Sequence, residues 1–302
     1  MFNGVRLWKK VDVLYLPETF MASRTPTSTL SLSSSMIEIL FSEKPAVPFK
    51  AAVLDFDGTI SLIREGWQQI MIPYFNDVLL AASPHEAPEE ILRCVHDFVD
   101  YLTGKQTIYQ CIQLAEEITK RGGTPLEPLE YKHEYLRRLM LRIDDRLKSL
   151  RTGRDPREHV VPGSYELLDM LKRRGLTLYL ASGTEEYSVK DEAALLQVDK
   201  YFDGGIYGAQ DDYKKFSKAM VIQKIITEHN LGGPELLGFG DGYVEIENVR
   251  QVGGVAIGVA TNESERKGLD EWKRNRLTKA GANAIIPDYS DITELENFLF
   301  GD

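Results

Sequence analysis

Apolar positions along the chain change their spacing from one stretch to the next, and the changes divide it into parts. Residues 1 to about 47 hold no sustained period and include Ala22-Ser-Arg-Thr-Pro-Thr-Ser-Thr-Leu-Ser-Leu-Ser-Ser-Ser35, a composition too poor in apolar surface to order itself. A loose low-complexity extension is expected there, with no chemistry. Ala51-Ala-Val-Leu54 is short, apolar throughout and followed at once by polar and turn-forming residues, which predicts a buried parallel strand. From Ile63 to Arg151 the period becomes helical. Trp67, Ile70, Met71, Tyr74, Phe75, Val78 and Leu79 draw one stripe, and Ile91, Leu92, Val95, Phe98, Val99 and Leu102 a second. Ile108, Cys111, Ile112, Ala115 and Ile118 form a third, and Tyr135, Leu136, Leu139, Met140, Ile143 and Leu147 a fourth. Pro88-Glu-Glu90 suits a first helical turn, and Lys120-Arg121 before Gly122-Gly123 suits a last one.

Beyond Val161 helices alternate with short strands: a helix over 164–174, a strand over 176–181, a helix over 218–229, and strands over 236–239, 255–259 and 284–286. Such alternation means a parallel sheet with right-handed crossovers. The expected fold is α/β: a doubly wound, Rossmann-like parallel core (48–62 and 158–302), its first and central strand at 51–54, with an all-helical subdomain inserted at 63–157.

Composition narrows the class. With 302 residues, 43% hydrophobic and 27% charged, the chain reads as an ordinary globular protein. The net charge of −10 opposes nucleic acid and anionic membranes as partners. No apolar run nears the roughly 18 residues of a transmembrane helix. Lys9 and Lys10 are not followed by the apolar core of a secretory leader, so a cytoplasmic location is expected. Met36, directly after the Ser/Thr-rich piece, is an alternative start, and a targeting role for the extension is a second reading. Cys94 and Cys111 lie on apolar helical faces as reduced core residues, and the five histidines show no metal-ligand spacing.

Candidate chemistry gathers at strand ends, where open α/β sheets bind ligands. Asp55 and Asp57 follow the first strand, and Gly58 lets the chain turn so that the two carboxylates take different aims. A nucleophile beside an acid is one reading; a strand end with two solvated aspartates is the plain one. The strand over 176–181 ends in Ser182-Gly-Thr184, a hydroxyl and a glycine whose N–H can approach an anion. Lys218 opens a helix, with Lys214 and Lys215 as rivals just before it. Gly240-Asp241 is followed by Glu245, either a second acid of the site or an acid answering a helix dipole.

In this order the motifs resemble those of haloacid dehalogenase (HAD) superfamily phosphatases, over about residues 48 to 290. Asp55-Phe-Asp-Gly-Thr59 matches the first motif, Ser182 the second, Lys218 the third and Gly240-Asp241 the fourth. The helical insert matches the cap of the phosphoglycolate phosphatase and β-phosphoglucomutase branch. The resemblance implies Asp55 as nucleophile, Asp57 as acid and base, and Ser182, Gly183 and Lys218 at the phosphoryl oxygens. It also implies Mg²⁺ held by Asp55, Asp57 and Asp241. The family's second aspartate in the fourth motif is replaced here by Glu245, which can still reach a metal-bound water.

Arg64 and Lys105 are candidates for meeting substrate, against the alternatives of an exposed arginine and an ordinary inter-helix loop. The run Glu271-Trp-Lys-Arg-Asn-Arg276 reads as a solvated helix face. The expected activity is Mg²⁺-dependent hydrolysis of a small phosphorylated metabolite, a sugar phosphate or phosphoglycolate. A phosphosugar mutase would use the same residues, a phosphonatase would need Lys105 as a Schiff base, and a non-catalytic phosphometabolite sensor would have lost a core carboxylate. None is lost here.

Overall fold

In the computed structural model residues 36–41, 47–210 and 212–301 are described. Ala51–Leu54 forms β2, buried at every position: Leu54 joins one apolar cluster and Val53 the cluster on the opposite face of the sheet. A continuously apolar strand is what burial on both faces demands. The other strands are β1 (Glu38–Ile39), β3 (Thr177–Glu185), β4 (Gly205–Ala209), β5 (Leu236–Gly240), β6 (Val255–Val259) and β7 (Ala284–Ile286). They pair in the order β1-β7-β6-β5-β2-β3-β4, parallel except for β1 against β7.

Leu54 pairs with Leu180 on one side and Phe239 on the other, so the chain leaves β2, β3 and β5 at one end of the sheet. Chain order runs outward from β2 through β3 and β4 on one side and through β5, β6 and β7 on the other, so strand order reverses there, the place where open α/β sheets bind ligands.

Between β2 and the return to the sheet run α1 (Gln68–Ala82), α2 (Pro88–Leu102), α3 (Thr107–Lys120) and α4 (Pro128–Arg151). Pro88 opens α2, and at the start of α4 the Glu130 carboxylate accepts the Glu127 N–H at 3.1 Å. Their stripes bury Met71, Phe75, Ile91, Val95, Ile108, Cys111, Tyr135 and Ile143 in the cluster that also holds Leu54, Leu180 and Phe239. Cap and sheet therefore share apolar packing, and the described residues cohere as one compact unit. The sheet is covered by α5 (Ser164–Arg173), α6 (Glu186–Leu195), α7 (Lys218–Glu228), α8 (Tyr243–Gln251), α9 (Glu271–Lys279) and α10 (Ile292–Phe300).

The structure adds elements that periodicity did not draw. The edge strand β1 lies within the stretch expected to be a loose extension, and Glu38 there receives the Arg274 guanidinium at 2.5 and 2.6 Å. The strand over 51–54 is thus second in chain order while remaining interior to the sheet. The Ser/Thr-rich piece at 22–35 lies outside the described residues. Strand β4 and helices α6, α8 and α10 are short and of mixed pattern, too brief to announce a period. Among the described residues no helix is long and apolar enough to cross a membrane.

Candidate active site

Asp55 is the first residue past β2, its N–H still bonded to the Phe239 carbonyl at 3.0 Å, so the strand ladder fixes its backbone. Its side chain is buried, with Oδ1 accepting the Phe56 N–H at 2.8 Å and Oδ2 facing the Lys218 ammonium at 2.9 Å. Ser217 caps α7 by accepting from the Met220 N–H, which sets Lys218 in the first turn and aims it at β2. Lys214 and Lys215 are exposed; Lys214 lies over the Tyr213 ring and Lys215 pairs with Asp212. Of the three lysines, Lys218 reaches Asp55. Its ammonium also pairs with Glu245, in the first turn of α8.

Gly58 has φ 73° and turns the chain after Asp57. A Cβ there would fall 2.2 Å from Asp241 Oδ2, so glycine also makes room for the Asp241 carboxylate beside the Asp55–Asp57 loop. Asp57 points elsewhere than Asp55. Its Oδ2 accepts the Thr184 hydroxyl at 2.8 Å and the Ser182 hydroxyl at 3.4 Å, and its Oδ1 lies 3.9 Å from Arg64 Nε. The Ser182 Oγ in turn accepts the Thr184 N–H at 3.1 Å, so the end of β3 is wound to present two hydroxyls to one carboxylate.

Burial pushes the Asp55 carboxyl up to about 6, with Lys218 pulling down and the charges of Asp241 and Asp57 adding to the rise. Burial likewise raises Asp57 to about 6, with Glu192 adding to the rise while Arg64 and the Thr184 hydroxyl oppose it. Such a carboxyl is poised to give and take a proton near neutral pH.

Negative charge exceeds what the neighbouring cations neutralise, which is the environment a hard divalent cation needs. Asp55 and Asp241 supply two carboxylates, and the room opened at Gly58 lets them approach; no group of three or more Asp, Glu, His or Cys among the described residues forms a cage by itself. Two carboxylates, a backbone carbonyl, waters and a substrate oxygen are a donor set that suits Mg²⁺.

The remaining candidates fall differently. Arg64 is buried rather than exposed, and Glu192 takes its guanidinium through contacts of 3.1, 3.2 and 2.7 Å. Lys105 is exposed, its ammonium 5.7 Å from the centroid of the Tyr101 ring, while its backbone carbonyl comes within 3.1 Å of where a Cβ on Gly183 would sit. Gly183 thus lets the loop between α2 and α3 lie on the end of β3. That loop is tied down twice: Gln106 Nε2 donates to the Phe216 and Tyr213 carbonyls at 2.8 and 3.1 Å, and Arg276 donates to the Asp100 and Thr103 carbonyls at 2.5 and 3.3 Å. A cavity of about 110 Å³ remains beneath it, bordered by Asp55, Asp57, Ser182, Lys218 and Asp241 on the sheet side.

Sequence reasoning missed Thr184, Glu192, Glu263 and Lys273. Lys273 corrects the reading of 271–276 as a solvated face: it is 8% exposed, with its ammonium 2.8 Å from Asp241 Oδ2 and 2.5 Å from Glu263 Oε1. The available signal was Leu277, also buried on α9 and four residues on, which places Lys273 on the inward face.

Among curated proteins none matches the sequence significantly. Solved structures do share the fold. A predicted phosphoglycolate phosphatase from Haemophilus somnus is 16% identical at TM-score 0.55, covering 83% of this chain and 99% of its own. A phosphonoacetaldehyde hydrolase-like protein from Oleispira antarctica is 14% identical at TM-score 0.56, covering 86% and 97%. A β-phosphoglucomutase from Clostridium difficile is 14% identical at TM-score 0.50, covering 76% and 98%. One backbone thus serves proteins named for different chemistries. The family model for haloacid dehalogenase-like hydrolases matches residues 49–253, more than half of the sequence, and the chain belongs to that family.

Proposed function

We propose that the protein is a Mg²⁺-dependent phosphatase that hydrolyses a small phosphorylated metabolite through an aspartyl-phosphate on Asp55. The observation that carries this reading is the division of labour between the adjacent carboxylates: Asp55 is held by the Lys218 ammonium, Asp57 by the hydroxyls of Thr184 and Ser182.

An Asp55 oxygen attacks phosphorus while the bond to the leaving oxygen breaks, and Asp57 delivers its proton to that oxygen. Asp57, now ionised, takes a proton from the water that attacks the aspartyl-phosphate; phosphate leaves and both carboxyls return to their starting states. Lys218 offsets charge on the phosphoryl oxygens, with the Gly183 N–H as donor and the Ser182 hydroxyl turning from Asp57 to join it, and Glu245 holds Lys218 in place. Asp55, Asp241 and the Asp57 backbone carbonyl would hold Mg²⁺, which would supply the positive charge that lets a carboxylate approach a phosphate dianion.

The test is phosphate release from sugar phosphates, phosphoglycolate and nucleotides, with and without Mg²⁺, using Asp55→Asn as the blank. Mg²⁺-dependent release lost in the variant is expected. Interconversion of sugar-phosphate isomers without release would replace this reading with a mutase.

A further inference from the structure

The cavity has a phosphoryl end and a leaving-group end, and the two differ in charge. From the inserted segment its lining takes Trp67, Met71 and Leu139, with Thr107, Gln110 and Tyr135 as neutral polar groups and Glu65, whose charge Arg146 answers. Among the described residues three cations border the cavity: two are held by carboxylates, and the third is exposed. Lys218 serves Asp55 and Glu245 at the phosphoryl end. Arg64 spends its fork on Glu192, which is itself 2% exposed. Lys105 carries its ammonium out over the Tyr101 ring. A second anion on the substrate would enter this end without a counter-charge, and a buried unpaired charge is strongly disfavoured. The volume, about 110 Å³, is also well below the roughly 300–1,000 Å³ of sites for drug-sized ligands.

Resting on the phosphatase reading, we infer that the substrate is the phosphate monoester of a small, uncharged, partly apolar alcohol. With Arg64 held by Glu192, the leaving-group end rejects esters that carry a carboxylate or a second phosphate. Phosphoglycolate, expected from the sequence as an equal alternative to a sugar phosphate, is disfavoured by this arrangement.

The experiment compares kcat/KM of the full-length protein with Mg²⁺ for 2-phosphoglycerol and ethyl phosphate against 2-phosphoglycolate and 3-phosphoglycerate, with p-nitrophenyl phosphate as a general monoester. The neutral-alcohol esters are expected to lead the carboxylated ones by about tenfold or more, an order set by leaving an ion unpaired on burial. Equal rates, or preference for a carboxylated ester, would overturn this inference and leave the phosphatase reading standing. No release from any ester would overturn that reading and this one with it.

Glu192→Gln, checked for folding by circular dichroism, supplies a second arm. Freed of its carboxylate, Arg64 is expected to narrow the gap between 2-phosphoglycolate and 2-phosphoglycerol. The ratio of the two substrates in one variant divides out any common effect on Asp57. An unchanged ratio in the folded variant would overturn the role given to the Arg64–Glu192 pair.

Discussion

Asp55 and Asp57 are two residues apart and chemically alike, yet their neighbours give them separate surroundings. The difference is a lysine on one and two hydroxyls on the other, which is why substitutions should separate binding from proton transfer. Asp57→Asn keeps the hydrogen bond from Thr184 and loses the transferable proton, so kcat should fall by about 10²–10⁴ with little change in KM, read by steady-state kinetics. Lys273→Met leaves the partly buried carboxylates of Asp241 and Glu263 without the buried ammonium they share. Breaking a fully buried pair from one side costs about 3–5 kcal/mol and partial exposure lowers that, so denaturant unfolding in metal-free buffer at pH 7 should show a loss of about 2–3 kcal/mol.

At the level of elements, the loop between α2 and α3 matters most, because it closes the cavity and is held by side chains from both halves of the chain. Gln106→Ala removes two bonds to the carbonyls of Tyr213 and Phe216. A loss of about 1–2 kcal/mol in closure should raise KM roughly tenfold and speed amide exchange at residues 103–107, measured by kinetics and hydrogen exchange. Helix α3 carries the pH test. Burial raises the Glu117 carboxyl, but hydrogen bonds from Lys120 and Arg121 and the Lys120 charge outweigh it, lowering the value from 4.5 to about 2. A carboxyl held down in the folded state contributes stability that is complete above its unfolded value and lost as pH falls through the folded one. The stability difference between the wild type and Glu117→Gln should therefore be full at pH 7 and shrink between about 4.5 and 2. Equal differences at pH 7 and at the acid end of that window, in urea titrations, would show that the clasp contributes nothing through charge.

Across the whole molecule, the inserted segment is joined to the core by one apolar cluster and by the pairs Lys132–Glu185 and Arg64–Glu192. Calorimetry should accordingly give one cooperative transition over cap and core, with the van't Hoff enthalpy matching the calorimetric one; two resolved peaks would mean that the shared cluster does not couple them. The α/β alternation, the four helical stripes and the acids, serine and lysine at strand ends were legible along the chain. Each is a local matter: period follows from which face is buried, and a strand that is apolar at every position must have both faces covered. What only the tertiary structure decided involves residues far apart in the chain. Arg64 was readable as an exposed arginine and Lys273 as a solvated one, because nothing within a few residues of either announces Glu192, Asp241 or Glu263 as its partner. Strand β1 was hidden for the same reason: two residues carry no period, and their place comes from β7, more than two hundred residues later. Local spacing determines which element forms and where its reactive ends lie, whereas the pairing of buried charges depends on distances that exist only after the sheet has brought those ends together.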